Sequence, residues 1–439
     1  MSDNNIEFIH WFRSASPYIR VHKGKTFVIH MDDSVIGSDS FTGLVHDLAL
    51  LNSLEIRLVL VFSTRHSIES RLKDHDDTSH YHKGIRVTDS QTLEIIKDAA
   101  GKLRVEIEAA LSIGLGNTPM LNAKVIVSSG NYVRAKPMGV VDGVDHLFTG
   151  SVRSIETAII DKRLDANEIV LIPPLGYSVT GDILNLEARA LARDVASRLG
   201  ADKLIYLSNA DGIFDDKGKL IKEMIVTEVN KYLSDNKIPD QSEYQLLNHA
   251  IDACKEGVAR VHIINSSLEG GVIQELFSRD GIGTMISSTS FDELRQATID
   301  DISGILEIIT PLEKSGVLVE RSREKLELEI DNFTVMLRDD VIIGCGALYL
   351  YEKEKTAEVA CLAIHNDYNN SGRGEQIYSV LKHRAKDKQI ESLFVLTTQA
   401  EHWFRELGFE EIAIEKLPIE KKNLYNFKRN SKIFINKLS

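Results

Sequence analysis

Short apolar runs rich in β-branched residues alternate with helical segments along most of the chain, and this alternation constrains the fold more than any other feature. The six clearest runs begin at Thr26, Ile56, Ala123, Glu168, Lys203 and Arg260. Between them, apolar residues recur at three- and four-residue intervals and predict helices at 41–52, 90–113, 186–199 and 244–256. Strands that alternate with helices form a parallel sheet covered on both faces. We therefore predict an α/β domain, a parallel three-layer sandwich, over residues 21–287.

An amphipathic helix precedes this domain, within residues 1–20. Its apolar residues are Ile6, Ile9, Trp11, Phe12 and Tyr18, and we predict that the helix ends at Pro17. The helix has no evident core of its own. It therefore either docks on its own domain or forms an interface with another chain, and both alternatives stay open.

A polar stretch at 287–293 predicts a domain boundary, and the order of elements changes after it. Strands are predicted at 333–338, 341–351, 358–364, 392–397 and 432–435, and helices at 299–312, 322–330, 375–388 and 401–407. A meander of strands crossed by helices is typical of a mixed sheet. We predict a smaller α+β domain over residues 295–439.

Composition excludes several classes of protein. The 439 residues are 43% hydrophobic and 27% charged, as in a folded chain, and the net charge of −13 disfavours nonspecific binding to nucleic acid or to a membrane. The three cysteines form no CxxC pair, and the acidic, histidine-containing loop at 74–82 lacks a recognised ligand spacing, so we predict no metal site. With neither a signal peptide nor a long apolar run, we expect a cytoplasmic protein.

The segment 361–378 carries the clearest chemical signal. Gly372 and Gly374 fall just before a predicted helix, where free backbone N–H groups bind anions, and Arg373 adds positive charge. This pattern predicts a pyrophosphate site. On spacing alone, a plain glycine-containing turn between a strand and a helix is an equal alternative.

Residues 369–374 resemble the Q/R-x-x-G-x-G/A pyrophosphate loop of the GNAT acetyltransferases, with Asn369 where Gln or Arg is usual. The order of elements from 299 to 435 resembles the GNAT fold as well. The resemblance implies that acetyl-CoA is the co-substrate and that a splayed strand pairs with its pantetheine and polarises the thioester carbonyl. The implied acetyl-CoA residues are Cys361, Leu362, Ala363, Ile364, Asn369, Gly372, Arg373, Gly374 and Glu375.

Acetyl transfer to an amine requires a base, because an α-amine with a pKa of about 8 is mostly protonated at neutral pH. Glu358 begins the strand that leads to Cys361 and is our predicted base, acting directly or through one water. The alternative is a solvated carboxylate at a strand end. In GNAT enzymes a Tyr often protonates the leaving thiolate, but Phe404 stands at that place, so Tyr425 or a water is the predicted acid.

Basic patches stand out in the second domain at 321–323, Lys355 and 428–432. Two separate patches suit a dicarboxylate, although each alone is equally typical of solvated surface charge.

The whole chain resembles the bacterial N-acetylglutamate synthase family, in the stretches 81–89, 274–284, 319–324, 396–398 and 428–432. The resemblance implies transfer of acetyl to L-glutamate, the first step of arginine biosynthesis, by a homo-oligomer that is a hexamer in the family. The implied glutamate-binding residues are Arg321, Arg323, Lys428, Arg429 and Ser431.

The first domain resembles an amino-acid kinase without its phosphate turns. The turns after the first two strands contain Asp32 and Asp33, and Arg65, where a working kinase carries glycines, so we predict no phosphoryl transfer. The resemblance implies that this domain binds L-arginine as a feedback inhibitor. Candidate residues are Tyr18, His262, Glu275, Gly281 and Gly283. The alternative function is an arginine-binding regulator with a decayed acetyltransferase domain, or one specific for another amine such as lysine.

Overall fold

Two compact units make up the chain, Met1–Thr289 and Ser290–Ser439. The computed structural model describes residues 3–74, 79–113, 125–235, 241–278, 281–289, 292–338, 341–365, 368, 372–423, 425 and 431–438. Asn369, Lys428 and Arg429 lie outside the described residues, as do residues 75–78 of the acidic loop.

The first unit contains nine of the described helices and eighteen strands. The helices are α1 (Asp3–His22), α2 (Phe41–Ser53), α3 (Arg65–Asp74), α4 (Ser90–Ser112), α5 (Thr157–Asp165), α6 (Ala188–Leu199), α7 (Val226–Asp235), α8 (Gln241–Lys255) and α9 (Gly271–Phe277). The strands are β1 (Thr26–Met31), β2 (Arg57–Phe62), β3 (Tyr81–His82), β4 (Ile85–Arg86), β5 (Val127–Ser129), β6 (Val133–Pro137), β7 (Val140–Val141), β8 (Val144–Asp145), β9 (Gly150–Ile155), β10 (Ile169–Ile172), β11 (Leu175–Tyr177), β12 (Ile183–Asn185), β13 (Lys203–Ser208), β14 (Ile213–Phe214), β15 (Leu220–Ile221), β16 (Glu223–Ile225), β17 (Arg260–Asn265) and β18 (Thr284–Ser287).

The main sheet of this unit has the order β16-β18-β17-β13-β1-β2-β10-β5. All neighbours are parallel except β17 and β18. Strand β1 is buried along its whole length, with Val28 in the core beneath α6 and α8 and Phe27 and Ile29 in the core beneath α2 and α4. Burial on both faces explains the continuous apolar runs and gives the predicted three layers.

A second sheet, β12-β11-β6-β9, is a feature that our reading of the sequence missed. Its strands are short, and β6 and β9 are partly exposed, so they lack the long apolar runs of the main sheet. Gly176 of β11 packs so closely that an added Cβ would lie 2.5 Å from the Cβ of Ala135. Of the predicted strand at 123–127, residues 123 and 124 lie outside the described residues, and β5 begins at Val127 rather than at 125.

The N-terminal helix does not end at Pro17, so that prediction is wrong. Helix α1 continues through Pro17 to His22, although a proline inside a helix removes one hydrogen bond. The last turns are held by packing, because Tyr18 and Ile19 contact the core beneath α2 and His22 Nε2 lies 2.8 Å from the carbonyl oxygen of Leu276. The C-terminal half of α1 therefore docks on its own unit, while Phe8, Trp11 and Phe12 of the other half are exposed.

The second unit is built on one sheet of order β19-β20-β21-β22-β23-β25-β24. Only the β22–β23 pair is parallel. The strands are β19 (Glu293–Gln296), β20 (Phe333–Arg338), β21 (Val341–Tyr351), β22 (Thr356–Ile364), β23 (Ser392–Thr397), β24 (Glu410–Glu411) and β25 (Lys432–Lys437). Helices α10 (Ile302–Lys314) and α11 (Arg323–Glu329) pack on one face and α12 (Arg373–Asp387) and α13 (Glu401–Glu406) on the other, while α14 (Ile419–Asn423) precedes β25. This is the predicted meander crossed by helices.

Candidate active site

The parallel strands β22 and β23 separate in the middle of the second sheet. Their pairing extends from Thr356 to Glu358, opposite 392–394, whereas the pairing of β22 with β21 continues to Ile364. Among the described residues, the backbone of 359–364 therefore has no ladder partner on the β23 side. Such an open edge can pair with an extended ligand through its N–H and C=O groups.

A bulge at Cys361 changes which side chains face which helices. Cys361 has a φ of +49°, and the register with β21 shifts opposite it. Side chains that face α12 are Ala357 and Val359 before the bulge and Leu362 and Ile364 after it, while Cys361 and Ala363 face α10. Because the bulge shifts the alternation of side chains between the two faces of the sheet by one residue, Glu358 and Cys361 lie on the same face of β22.

Glu358 is buried rather than solvated, with 6% of its surface exposed. Its Oε2 atom lies 2.7 Å from Nζ of Lys421 in α14. The residue opposite it on β21 is Tyr349. A buried carboxylate is costly without a partner, and the ammonium of Lys421 compensates its charge.

Arg321 lies on the same face as Glu358. Its guanidinium donates to the carbonyl oxygen of Val319 at 2.9 Å and lies near Tyr349, whose hydroxyl donates to Oε2 of Glu329 at 2.6 Å. Burial would lower the pKa of Arg321, but Cys361, Tyr349 and Glu329 together raise it. A cation thus stands near the predicted base. Arg323, by contrast, is exposed and pairs with Glu327 along α11.

Tyr425 and Ser431 bracket the basic segment that contains Lys428 and Arg429. The Tyr425 hydroxyl donates to the carbonyl oxygen of Ser431 at 2.7 Å, and Ser431 is buried. Tyr425 packs in an apolar cluster with Tyr351 and Phe394, and Phe394 is the residue opposite Glu358 on β23. The predicted acid and base therefore border one cluster. Phe404, at the usual place of the acid, is buried against Trp403 and Phe409.

Helix α12 begins at Arg373, two residues earlier than predicted, so Gly372 directly precedes it and Gly374 lies in its first turn. Gly372 has a φ of +71°, and a Cβ on Gly374 would lie 3.1 Å from the Trp403 ring. Arg373, which we expected beside the pyrophosphate, donates through Nε to Oδ2 of Asp292 at 2.7 Å. Glu375 accepts a hydrogen bond from Trp403 Nε1 at 2.7 Å. The N-terminus of an α-helix is a favourable place for an anion, because its first N–H groups are not used by the helix's own carbonyl groups.

In the first unit, the chain's own carboxylate occupies a helix N-terminus at the strand ends. Asp33 accepts hydrogen bonds from the Ser63 hydroxyl and from the N–H groups of His66 and Ser67 at the start of α3. A phosphate in that position would meet a carboxylate already bound. Nearby, a cavity of about 470 Å³ is lined by His30, Asp32 and other residues.

The residues proposed to bind arginine lie elsewhere in the first unit, on strand β17, on helix α9 and in the segment before β18. His262 Nδ1 is 2.7 Å from Glu275 Oε1, and the other carboxylate oxygen accepts the N–H groups of Ile282 and Gly283 at 2.7 and 2.9 Å. Gly281 approaches the same carboxylate, since an added Cβ would lie 2.5 Å from Oε2. Burial would raise the pKa of Glu275, but these hydrogen bonds lower it to about 2. An ionised carboxylate is therefore held inside the unit.

Two further groups belong to this region. Tyr18 of α1 packs against the neighbouring core that contains Leu276, with its ring centroid 6.2 Å from that of His22. Lys203 Nζ lies 3.4 Å from His262 Nε2. Sequence reasoning missed Lys203, although a lysine at the start of a buried apolar strand is the kind of signal that marks a buried charge.

Within the described residues, no three or more His, Cys, Asp or Glu side chains are grouped to hold a metal ion. The described helices include none with the length and apolar character needed to cross a membrane.

Comparison with known proteins gives matches over both units. Residues 25–265 match the amino acid kinase family and residues 302–409 the GNAT acetyltransferase family. An amino-acid acetyltransferase of Ectopseudomonas mendocina is 44% identical over 428 residues, 98% of this chain and 99% of that protein. One of Yersinia pseudotuberculosis is 44% identical over 440 residues, 99% of each chain.

Solved structures agree with these matches. The structure of N-acetylglutamate synthase from Neisseria gonorrhoeae complexed with coenzyme A and L-arginine has a TM-score of 0.87 and 36% identity, covering 98% of this chain and 99% of that one. The same enzyme complexed with coenzyme A and N-acetyl-glutamate has a TM-score of 0.64 at the same identity and coverage. The predicted fold class, an amino-acid-kinase-like unit followed by a GNAT unit, is thereby confirmed.

Proposed function

The chain belongs to the amino-acid acetyltransferase family and is an acyltransferase, and from this premise we propose that it makes N-acetyl-L-glutamate from acetyl-CoA and L-glutamate. The observation that carries the proposal is the position of Glu358. It lies buried on the face that also bears Arg321, at the point where β22 leaves β23.

Acetyl-CoA binds along the open edge of β22 in this proposal. The backbone of Cys361 to Ile364 pairs with the pantetheine, and Gly372 and Gly374 let the N–H groups of α12 reach the pyrophosphate. A backbone N–H aimed at the thioester oxygen stabilises the negative charge that develops there. The Neisseria enzyme in complex with coenzyme A supports this assignment.

The reaction requires a base that removes a proton from the amine and an acid that supplies a proton to the leaving thiolate. The α-amine of glutamate loses a proton to the Glu358 carboxylate as its nitrogen attacks the thioester carbonyl carbon. The tetrahedral intermediate then collapses, the C–S bond breaks, and the CoA thiolate takes a proton from Tyr425 or from a water. Tyr425 is poised for this role by its place in the apolar cluster next to Glu358.

Glutamate is held through its carboxylates by basic and small polar groups. Arg321, near Tyr349 and Cys361, is one candidate, and Ser431, which directly precedes β25, is another. Arg323 belongs to the same proposal, but it lies on the exposed side of α11. Guanidinium groups suit carboxylates because they donate two parallel hydrogen bonds.

L-Arginine is the proposed feedback inhibitor, bound by the first unit. The ionised Glu275 is a partner for the guanidinium or the α-ammonium of arginine, with Tyr18, His262, Gly281 and Gly283 around it. Lys203 adds a cation that can receive the arginine carboxylate. The Neisseria enzyme complexed with L-arginine supports this part of the proposal.

We also place the protein in the cytoplasm as a homo-oligomer, a hexamer by family resemblance. The free, buried cysteines Cys254, Cys345 and Cys361 are compatible with a reducing compartment. The exposed aromatic side chains of α1 support an interface between copies.

The proposed activity is tested by measuring thiol release from acetyl-CoA with L-glutamate, L-aspartate, L-lysine and a lysine-containing peptide as acceptors. Release that is fastest with L-glutamate is expected. Hydrolysis of acetyl-CoA at the same rate with and without an acceptor would contradict the proposal.

A second candidate is an arginine-binding regulator whose acetyltransferase unit is decayed or acts on another amine. Phe404 in place of an acid and the pairing of Arg373 with Asp292 favour it. Calorimetric binding of L-arginine together with undetectable acetyl transfer would select this candidate.

A further inference from the structure

Lys421 is a charged residue of the second unit to which the sequence analysis gave no role. It lies in α14, a five-residue helix in which every residue is described and none is buried. Its side chain nevertheless turns inward, 22% exposed, and its Nζ lies 2.7 Å from Glu358 Oε2. The next residue, Lys422, is exposed to solvent.

The surroundings of Glu358 explain why a cation matters there. Tyr349 is the opposite residue on β21, and on the same strand Tyr351 has its pKa raised by burial and by the charge of Glu358. Cys361 shares the face of β22, and its pKa is raised to about 11 by burial. None of these neighbours is a cation. The guanidinium of Arg321 lies near Tyr349 and Cys361 on this face, but the positive charge in contact with the Glu358 carboxylate is that of Lys421.

We propose that Lys421 is a positioning residue for acetyl transfer, which pairs with the Glu358 carboxylate and keeps it oriented where β22 and β23 separate. The carboxylate then accepts the proton of the attacking amine. Because the N–H of Tyr425 donates to the carbonyl oxygen of Lys422 at 3.2 Å, the same ion pair also ties Tyr425 to the strand that carries the proposed base. This inference rests on the proposed function, in which Glu358 is the base.

Lys421→Met tests the inference, since it removes the charge and keeps the length of the side chain. Glutamate-dependent thiol release near pH 7 should fall about 10-fold or more, and the acid limb of the kcat profile should move up by about 1 pH unit or more. The KM for acetyl-CoA should stay unchanged. Lys421→Arg should return the acid limb toward its wild-type position, and Lys422→Met, the matched control at the exposed neighbour, should leave the profile unchanged.

A Lys421→Met profile that superimposes on that of the wild type would overturn the inference, as would a rise in the KM for L-glutamate alone. Absence of glutamate-dependent thiol release from the unaltered protein is a different outcome, which removes the proposed function itself. If circular dichroism finds Lys421→Met unfolded, Lys421→Gln is measured in its place. It keeps a hydrogen-bond donor without the charge and must shift the acid limb in the same direction, or the inference fails.

Discussion

At the scale of single residues, the chemistry depends on charged groups that are buried with a partner. Glu358 faces Lys421, and Glu275 faces His262, in opposite halves of the chain. The sequence predicted the carboxylates, Glu358 from its place in a strand and Glu275 from a family resemblance. It did not predict Lys421, because lysines on a short polar helix are normally solvated and only the tertiary structure turns this one inward.

Glu358→Gln should lower kcat for glutamate acetylation by about 100-fold or more, since the amide cannot accept the proton of the amine. The KM for acetyl-CoA should change little, because the donor is held by backbone groups. Steady-state kinetics with Glu354→Gln, an exposed carboxylate close to β22, provides the control. A Glu358→Gln rate equal to that of the control would remove Glu358 as the base.

His30 should make the first unit less stable in mild acid. Burial, and then the charge of Arg189, lower its pKa from 6.5 to about 3, so the unfolded chain takes up a proton below about pH 6.5 that the folded chain refuses. The free energy of unfolding should therefore be about 2 kcal/mol lower at pH 5 than at pH 7 from this group.

Urea unfolding at the two pH values measures this effect. His30→Leu should reduce the dependence on pH, and His66→Leu, at an exposed position, should not. The same dependence in the wild type and in His30→Leu would contradict the assignment.

At the scale of elements, six strands of the main sheet were predictable from their apolar runs, which burial on both faces requires, whereas β16 and β18 were not predicted. The four-stranded sheet was not, because its short and partly exposed strands leave no such pattern. The end of α1 was predicted wrongly at Pro17, since contacts of Tyr18 and His22 with the core outweigh the local cost of a proline. Local propensity thus fails where tertiary packing decides.

The exposed half of α1 should form contacts between copies of the chain. Phe8 and Phe12 stack with their ring centroids 6.1 Å apart and are 62% and 51% exposed. The double change Phe8→Ser/Phe12→Ser should lower the molar mass measured by light scattering. Val105→Ser, which alters an exposed apolar residue of α4, should not. An unchanged mass for the double variant would exclude this face as an interface.

At the scale of the whole molecule, the two units have different proposed roles, arginine binding in the first and acetyl transfer in the second. In the first unit, Asp33 caps α3 with a carboxylate, and a cluster of buried polar and charged groups surrounds Glu275. The second unit carries the open strand edge, the proposed base Glu358 and the guanidinium of Arg321. The order of elements along the chain was enough to predict the fold class of each unit, whereas the ion pair between Glu358 and Lys421 joins residues far apart in sequence and was not predicted.

The central claim is that acetyl transfer in one unit is inhibited by arginine bound in the other. Its most direct test is the initial rate of glutamate-dependent thiol release from acetyl-CoA, measured with increasing L-arginine, for the wild type and for Glu275→Gln. We predict that L-arginine slows the wild type and that Glu275→Gln keeps its activity but loses the response, because the carboxylate that pairs with the cationic group of arginine is gone. Equal inhibition of both proteins, or a wild-type rate that does not depend on L-glutamate, would contradict the account.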